Sequence, residues 1–512
     1  MSERTYYITT PIFYVNDVPH IGHAYTLIAC DVMARFKRLD GYDVHFLTGT
    51  DEHGQKVEKA AIAAGLTPKA FTDKVSQAFR DLVPRMSASP DNFIRTTEER
   101  HYRACQALWR KLIEAGDIYL GKYEGWYSVR DEAFYAESET TVTPGGKRLA
   151  ASGAEVEWVE EPSYFFRLSA WQQRLLDYYE ANPRFIAPES RRNEVLSFVR
   201  GGLQDLSVSR TTFKWGVPVP DDPDHIMYVW LDALTNYITE AGYPDTSAPN
   251  WRYWPADLHM VGKDIIRFHT VYWPAFLMAA GVAPPRRVFA HGWWTAEGQK
   301  ISKSLGNVID PLKLVEDYGI DQTRFFLLRE VPFGSDGDFQ KRALIQRMNA
   351  DLANDYGNLC QRVLSMIARN CDGKWPVHGS ASDADRALLD KVDGLLERVR
   401  GHIEEQAFHL ALGAIWDVVG DANRYVDAQA PWALGKTDPA RRDSVLAVLA
   451  ETIRKVTLPV QAFMPDAAAR ILDQLSVPQD KRNFAAWAQE PPAATALPKP
   501  SGVFPRFAAA AS

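Results

Sequence analysis

The N-terminal third of the chain alternates between strand-like stretches and helical patterns, with loops rich in ligand-type residues after the first two strands. That alternation is the signature of a doubly wound parallel sheet, in which ligands bind beyond the carboxyl ends of the strands. Thr5 to Thr10 is β-rich. A loop with Pro11, Asn16, Asp17 and Pro19 follows, and Ile28, Val32, Phe36 and Leu39 then recur at helical spacing, which places His20 and His23 in the first turn of a helix. Val44 to Leu47 predicts the next strand, ending in the polar loop Thr48-Gly49-Thr50-Asp51-Glu52-His53-Gly54.

The rest of the 512 residues divides by texture. Residues 1–114 form the first half of a Rossmann-type α/β catalytic domain, and 115–225 carry short aromatic stretches, Tyr123 to Tyr127 and Glu155 to Val159, as an inserted α+β connective module. The α/β pattern resumes over 226–290, with strands expected at Met227 to Leu231, Leu258 to Val261 and Val288 to Ala290 and a helix at Asp264 to Met278. A loop and connecting segment covers 291–341. Residues 342–483 read as an all-α bundle, with apolar stripes such as Phe408, Leu412, Ile415 and Val419. From 484 to 512 the composition turns to Ala and Pro, which suits an extended tail.

Composition excludes several classes. A hydrophobic share of 46% supports packed cores rather than disorder, and no apolar run has the length of a membrane span. The start, Met1 to Arg4, runs straight into a strand, so a signal peptide is not expected and a cytoplasmic protein is. The four cysteines, Cys30, Cys105, Cys360 and Cys371, never fall at C-x2-C spacing, so neither a disulfide scaffold nor a cysteine metal site is expected.

Two constellations carry chemistry. In His20-Ile21-Gly22-His23 a helix N-terminus offers unpaired N–H groups, a glycine permits close approach, and two imidazoles can donate to phosphate oxygens. A pair of surface histidines beside a cap is the other reading of the same residues, and a metal site would need a third ligand. Gly298-Gln299-Lys300-Ile301-Ser302-Lys303-Ser304-Leu305-Gly306-Asn307 sets two lysines three apart among small residues, either a loop that brings cations to a polyphosphate or a solvated basic loop.

Together these motifs resemble the HIGH and KMSKS signatures of class I aminoacyl-tRNA synthetases, the first complete, the second with Ile301 for Met. The chain is similar in particular to the methionyl-tRNA synthetase family, through Pro11-Ile12-Phe13-Tyr14-Val15-Asn16, Tyr228-Val229-Trp230-Leu231-Asp232-Ala233, Gly262 to His269, and Tyr272-Trp273-Pro274. The resemblance implies activation of L-methionine by ATP with Mg²⁺, then transfer to the 3′ end of tRNA(Met), initiator tRNA included. It further implies catalysis by His20, Gly22, His23, Lys300 and Lys303, and ATP binding by His20, His23, Gly262, His291, Lys300, Ser302 and Lys303. Ile12, Tyr14, Trp230, Ala233, Tyr237, Ile265, His269 and Trp273 would line the methionine pocket, with Asp51 on the ammonium. Aromatic walls suit a long polarizable thioether, although ordinary core packing would also account for any one of them.

In the helical region Asn358 and Arg362 share a helix face at i and i+4, and Trp432 stands at a helix boundary; in the family such residues bind the CAU anticodon. Residues 341–371 carry Lys341, Arg342, Arg347, Arg362 and Arg369 against Asp351 and Asp355, a local +3 in a chain of formal charge −7. Many relatives hold zinc knuckles in the insertion, but Tyr127-Ser128-Val129-Arg130-Asp131-Glu132 has no cysteine, so no zinc is expected and aromatic packing should hold that module instead. An end at Ser512 leaves no appended dimerisation domain, which favours a monomer. The competing readings are a class I synthetase for another apolar amino acid, a HIGH-type nucleotidyltransferase acting without tRNA, and a non-catalytic tRNA-binding paralogue. A free nucleotidyltransferase has no need of Asn358, Arg362 and Trp432, and a dead paralogue would be expected to lose His20, His23 or Lys303.

Overall fold

A seven-stranded sheet organises the catalytic part of the computed structural model, which describes residues 4–15, 18–301, 307–490 and 494–508. The strand order is Ile186–Ala187, Val288–His291, Leu258–Gly262, Thr5–Thr9, Asp43–Asp51 and Phe13–Tyr14, with Asn92–Arg95 also paired to Asp43–Asp51. Every pairing in it is parallel; Ile8 lies opposite both Phe46 and Leu258. The order reverses on either side of Thr5–Thr9, which opens a crevice at the carboxyl ends of the central strands. Nearly every residue of these strands is buried, as a sheet covered on both faces requires.

The helix Ile21–Leu39 crosses from the first strand to its neighbour and is buried almost all round. One side of it faces the sheet; the other packs on the bundle helix Pro439–Phe463, so one continuous core runs from Ile8 through Val32 to Leu449. At this seam the buried Arg324 guanidinium donates to Asp31 at 2.7 Å, to the carbonyls of Ala462 and Phe463 at 2.9 and 2.8 Å, and to that of Met86 at 3.0 Å. A buried charge so fully bonded fixes how the parts meet.

Some local expectations change. The strand expected at Met227 to Leu231 ends at Met227: Asp222–Met227 is the strand, and Val229–Ala241 is a helix. The run Val229, Leu231, Ala233, Leu234 is apolar because the helix is buried on several sides, and such a run does not distinguish strand from helix. The strand expected at Val44 to Leu47 continues to Asp51, so Asp51 sits at a strand end rather than in a free loop.

The insertion builds its own antiparallel sheet, ordered Leu206–Ser207, Glu157–Phe166, Ile118–Ser128 and Ala133–Tyr135. Tyr123 and Tyr127 pack on Phe134 at 3.7 and 4.7 Å between ring centres, and the Arg210 guanidinium covers Phe134 at 4.2 Å. Within 115–225, however, Ile186–Ala187 joins the main sheet as its edge. The Ala/Pro-rich end is extended but docked: Trp375 N–H donates to the Thr495 carbonyl at 2.8 Å, and Phe504 and Phe507 lie against Tyr356 and Tyr318. No helix among the described residues is long and apolar enough to cross a membrane.

Candidate active site

The crevice holds a cavity of about 420 Å³ whose walls come from seven places in the sequence. They are the loop after the first strand, the start of Ile21–Leu39, the end of Asp43–Asp51 with Lys56 beyond it, the turn Arg130 to Glu132 of the insertion, the helix Val229–Ala241, the end of Leu258–Gly262 with the segment following it, and His291 with Trp293. Ile12, Tyr14, His20, Gly22, His23, Asp51, Trp230, Ala233, Tyr237, Gly262, Ile265, His269 and His291 all line it.

His20 and His23 form a capping box made of imidazoles. His20 is the N-cap; its Nδ1 accepts from the Gly22 N–H at 3.1 Å, while the His23 Nδ1 accepts from the His20 N–H at 3.1 Å. A neutral imidazole that accepts at Nδ1 carries its proton at Nε2, so the cap leaves each ring an Nε2–H as donor. The rings lie 3.8 Å apart, and burial together with His20 pushes the His23 pKa well below its usual value. Two neutral donors at the positive end of a helix dipole suit a polyanion.

His291, at the end of Val288–His291, has Nε2 2.7 Å from the Thr26 hydroxyl on the capped helix and donates from Nδ1 to the Gly292 carbonyl at 2.8 Å. Burial lowers its pKa as well. A Cβ at Gly262 would lie 2.6 Å from Asp264 Oδ1, so a side chain there would push that carboxyl from its place in the cavity wall.

On the other side the walls are aromatic, and the polar atoms of Tyr237 and His269 are paired. His269 Nδ1 faces the Ile265 carbonyl at 3.0 Å and must donate to it, so Nε2 accepts from the Tyr237 hydroxyl at 2.7 Å. Burial drives the His269 pKa down to about 4 and keeps the ring neutral. Trp230 stacks on Phe268 with centres 3.7 Å apart. Trp273 does not reach the cavity; it is fully buried behind Tyr237, 6.1 Å between centres, and supports that ring.

Asp51 Oδ1 is buried without a hydrogen-bond partner, and burial, then Asp232 and Glu132, push its pKa well above the usual carboxylate range. A buried acceptor that lacks a donor costs stability until a ligand supplies one.

The lysine loop is only partly in view. Gln299–Lys300 pairs with Trp294–Ala296, while Ser302 and Lys303 lie outside the described residues. In the bundle, Arg362 and Trp432 come together: the guanidinium lies 5.6 Å over the indole, Trp432 is 55% exposed, and Arg362 also pairs with Asp427 at 2.8 Å. Asn358 opens the same helix, one turn earlier and exposed.

Sequence reasoning missed Lys56, Arg130, Asp131, Glu132, Asp264 and Trp293, all of which line the cavity. Lys56, Asp264 and Trp293 adjoin recognised motifs, and that proximity was a usable signal. Arg130 to Glu132 sit in a charged turn of the insertion whose sequence says nothing of the cavity it faces.

A family described as tRNA synthetases class I (M) matches residues 6–364, and one described as anticodon binding domain of methionyl tRNA ligase matches 375–507. The methionine–tRNA ligase of Brucella suis biovar 1 is 59% identical over 508 residues, covering 99% of each chain; that of Mycobacterium tuberculosis is 57% identical, covering 98% of each. Among solved structures, M. tuberculosis methionyl-tRNA synthetase in complex with methionyl-adenylate has a TM-score of 0.97 at 57% identity, over 98% of this chain and 100% of that one. Its apo form has a TM-score of 0.91, over 99% of both chains. With the cavity, the imidazole cap and the Arg362–Trp432 pair in one chain, these matches place it in the methionyl-tRNA synthetase family of class I aminoacyl-tRNA synthetases.

Proposed function

We propose that the cavity binds methionine against its aromatic wall and ATP against the imidazole cap, so that the amino-acid carboxylate meets the α-phosphorus between them. The activity is methionine–tRNA ligation: methionine is activated to methionyl-adenylate, pyrophosphate leaves, and the aminoacyl group passes to the 3′ end of tRNA. The observation that carries the residue assignment is the orphaned Oδ1 of Asp51, an unmatched acceptor at the polar end of an apolar slot. An α-ammonium supplies the missing donors and the missing charge. Ile12, Trp230, Ala233, Tyr237, Ile265 and His269 enclose the thioether, with Trp273 holding Tyr237 from behind.

Chemistry here is positioning and charge stabilisation, because no covalent enzyme intermediate is required. His20 and His23 donate to phosphate oxygens from Nε2, Gly262 and His291 line the nucleotide side, and Lys300, Ser302 and Lys303 approach the leaving pyrophosphate. Mg²⁺ travels with the ATP phosphates. Zinc is not part of this reading: rings and Arg210 hold the insertion where a knuckle would stand. Among the described residues one trio with metal-ligand types comes together, His101, Cys105 and Asp232, but His101 Nε2 and Asp232 Oδ1 are 2.7 Å apart. That is a hydrogen bond, closer than two ligands of one tetrahedral zinc would stand.

Asn358, Arg362 and Trp432 read the anticodon, by edge contacts and stacking. Initiator and elongator tRNA(Met) share that anticodon, so both are substrates. The chain is read as a monomer, and protein synthesis places it in the cytoplasm. ATP–pyrophosphate exchange with each of the twenty amino acids tests the pocket: methionine drives exchange, with leucine, isoleucine and valine far behind. A preference for any of those three overturns the assignment.

A further inference from the structure

Glu132 belongs to the insertion, yet it lies in the wall of the cavity and is only 7% exposed. Its backbone has φ of 48°, in the left-handed region that a residue with a long side chain seldom adopts without cause. The Tyr14 hydroxyl is 2.6 Å from Glu132 Oε1 and 3.1 Å from the His53 carbonyl; the Lys56 N–H donates to Oε1 at 3.3 Å; and the Tyr228 hydroxyl donates to the Glu132 carbonyl at 3.2 Å. Gly54 leaves the room for this. At its φ of 108°, a Cβ would stand 2.5 Å from Glu132 Oε1 and 2.9 Å from the Tyr14 hydroxyl.

We propose that Glu132 is a positioning residue for methionine binding: a carboxyl delivered by the insertion that clamps Tyr14 against the segment after Asp51 and so fixes the polar end of the pocket. The contacts converge on one purpose. Tyr14 and Asp51 face each other across the paired strands, Tyr14 opposite Asp51 in register, and the segment His53 to Lys56 follows directly. Holding Tyr14 to the His53 carbonyl therefore holds the ring beside the carboxylate that receives the ammonium.

The proton count supports the clamp. A tyrosine hydroxyl has one hydrogen and cannot fully serve two acceptors, Glu132 and the His53 carbonyl. With Glu132 protonated, its own O–H donates to the Tyr14 oxygen and the Tyr14 hydrogen goes to His53, so every group is satisfied. Burial, opposed by the Tyr14 and Lys56 hydrogen bonds, moves the Glu132 pKa up to about 7. A glutamine keeps an acceptor at this position without the charge, since its Oε1 can accept from both the Tyr14 hydroxyl and the Lys56 N–H.

This inference rests on the methionine-pocket reading, which the wild-type exchange assay tests by itself. The experiment is steady-state exchange with Glu132→Ala, Glu132→Gln, Tyr14→Phe and the double variant Glu132→Ala/Tyr14→Phe, titrating methionine and ATP separately, with folding checked by circular dichroism. The clamp predicts that Glu132→Ala raises the methionine KM about tenfold while kcat and the ATP KM change less than about threefold, and that Glu132→Gln restores most of the loss. It also predicts that the double variant is no worse than the poorer single one, because both remove the same contact. A methionine KM unchanged in Glu132→Ala, equal losses toward both substrates, or additive effects in the double variant would each overturn it. Should Glu132→Ala fail to fold, a Glu132→Gln enzyme with methionine KM raised about tenfold contradicts the clamp, and one within about twofold of wild type, with Tyr14→Phe impaired, upholds it.

Discussion

The cavity and the proposed anticodon face present their side chains in opposite ways. In the cavity the recognition groups are mostly buried and locked by partners of the same chain: Tyr237 to His269, His269 to Ile265, His291 to Gly292. On the bundle, Trp432 lies open to solvent, and Arg362 stacks on it while pairing with an exposed Asp427. A small substrate must find its site already built, since it contributes few contacts to organise one. An RNA loop brings large flat bases and can order exposed side chains as it binds. The two regions nonetheless share a core through Ile21–Leu39 and Pro439–Phe463. They are mechanically joined, and the proposed roles keep them chemically separate.

Three expected outcomes probe that contrast. The largest effect belongs to the lysine motif: Lys303→Ala should lower kcat for exchange by about a hundred- to a thousandfold with methionine KM nearly unchanged, because a cation that meets phosphate in the transition state acts on kcat. Exchange kinetics with titrated methionine check this, and an unaltered rate would return the loop to a solvated basic segment.

The next concerns pH. An unfolded histidine takes its proton near 6.5, whereas His269 in the fold does so near 4. Between those values the unfolded state binds more protons, so stability falls as pH drops through that window, by about 1.4 kcal/mol per unit for this one group. His259 and His23, also held neutral by burial, add in the same direction. Urea unfolding at pH 7 and pH 4.5 should show His269→Gln losing about 2–3 kcal/mol less than wild type over that interval, while Trp432→Ala loses as much as wild type. Equal losses in wild type and His269→Gln would mean that the ring is not held neutral.

How much of this was legible in the sequence follows from where each signal is written. Helical spacing placed His20 and His23 in a first turn, and capping chemistry explains why they belong there. The Asn358–Arg362 spacing and the helix break at Ala430, which adopts a left-handed φ of 43°, were likewise local. Glu132 was not legible, because its role depends on how the insertion folds back over Tyr14, a contact 118 positions apart. Trp273 was placed in the pocket by resemblance, yet only packing decides whether an aromatic residue lines a cavity or stands behind one that does. The Met227 to Leu231 stretch failed for a related reason: a helix buried on several sides loses the polar stripe that reveals its period.

The smallest effect is the most diagnostic. Stacking on one base is worth about 1–3 kcal/mol, so Trp432→Ala should cost roughly tenfold or more in kcat/KM for tRNA. The central claim is that amino-acid activation and anticodon recognition occupy separate sites on one chain. Measuring pyrophosphate exchange and tRNA charging side by side on Trp432→Ala tests it most directly: exchange at the wild-type rate with charging reduced about tenfold or more is the predicted result, and normal charging, or equal loss of both, would contradict it.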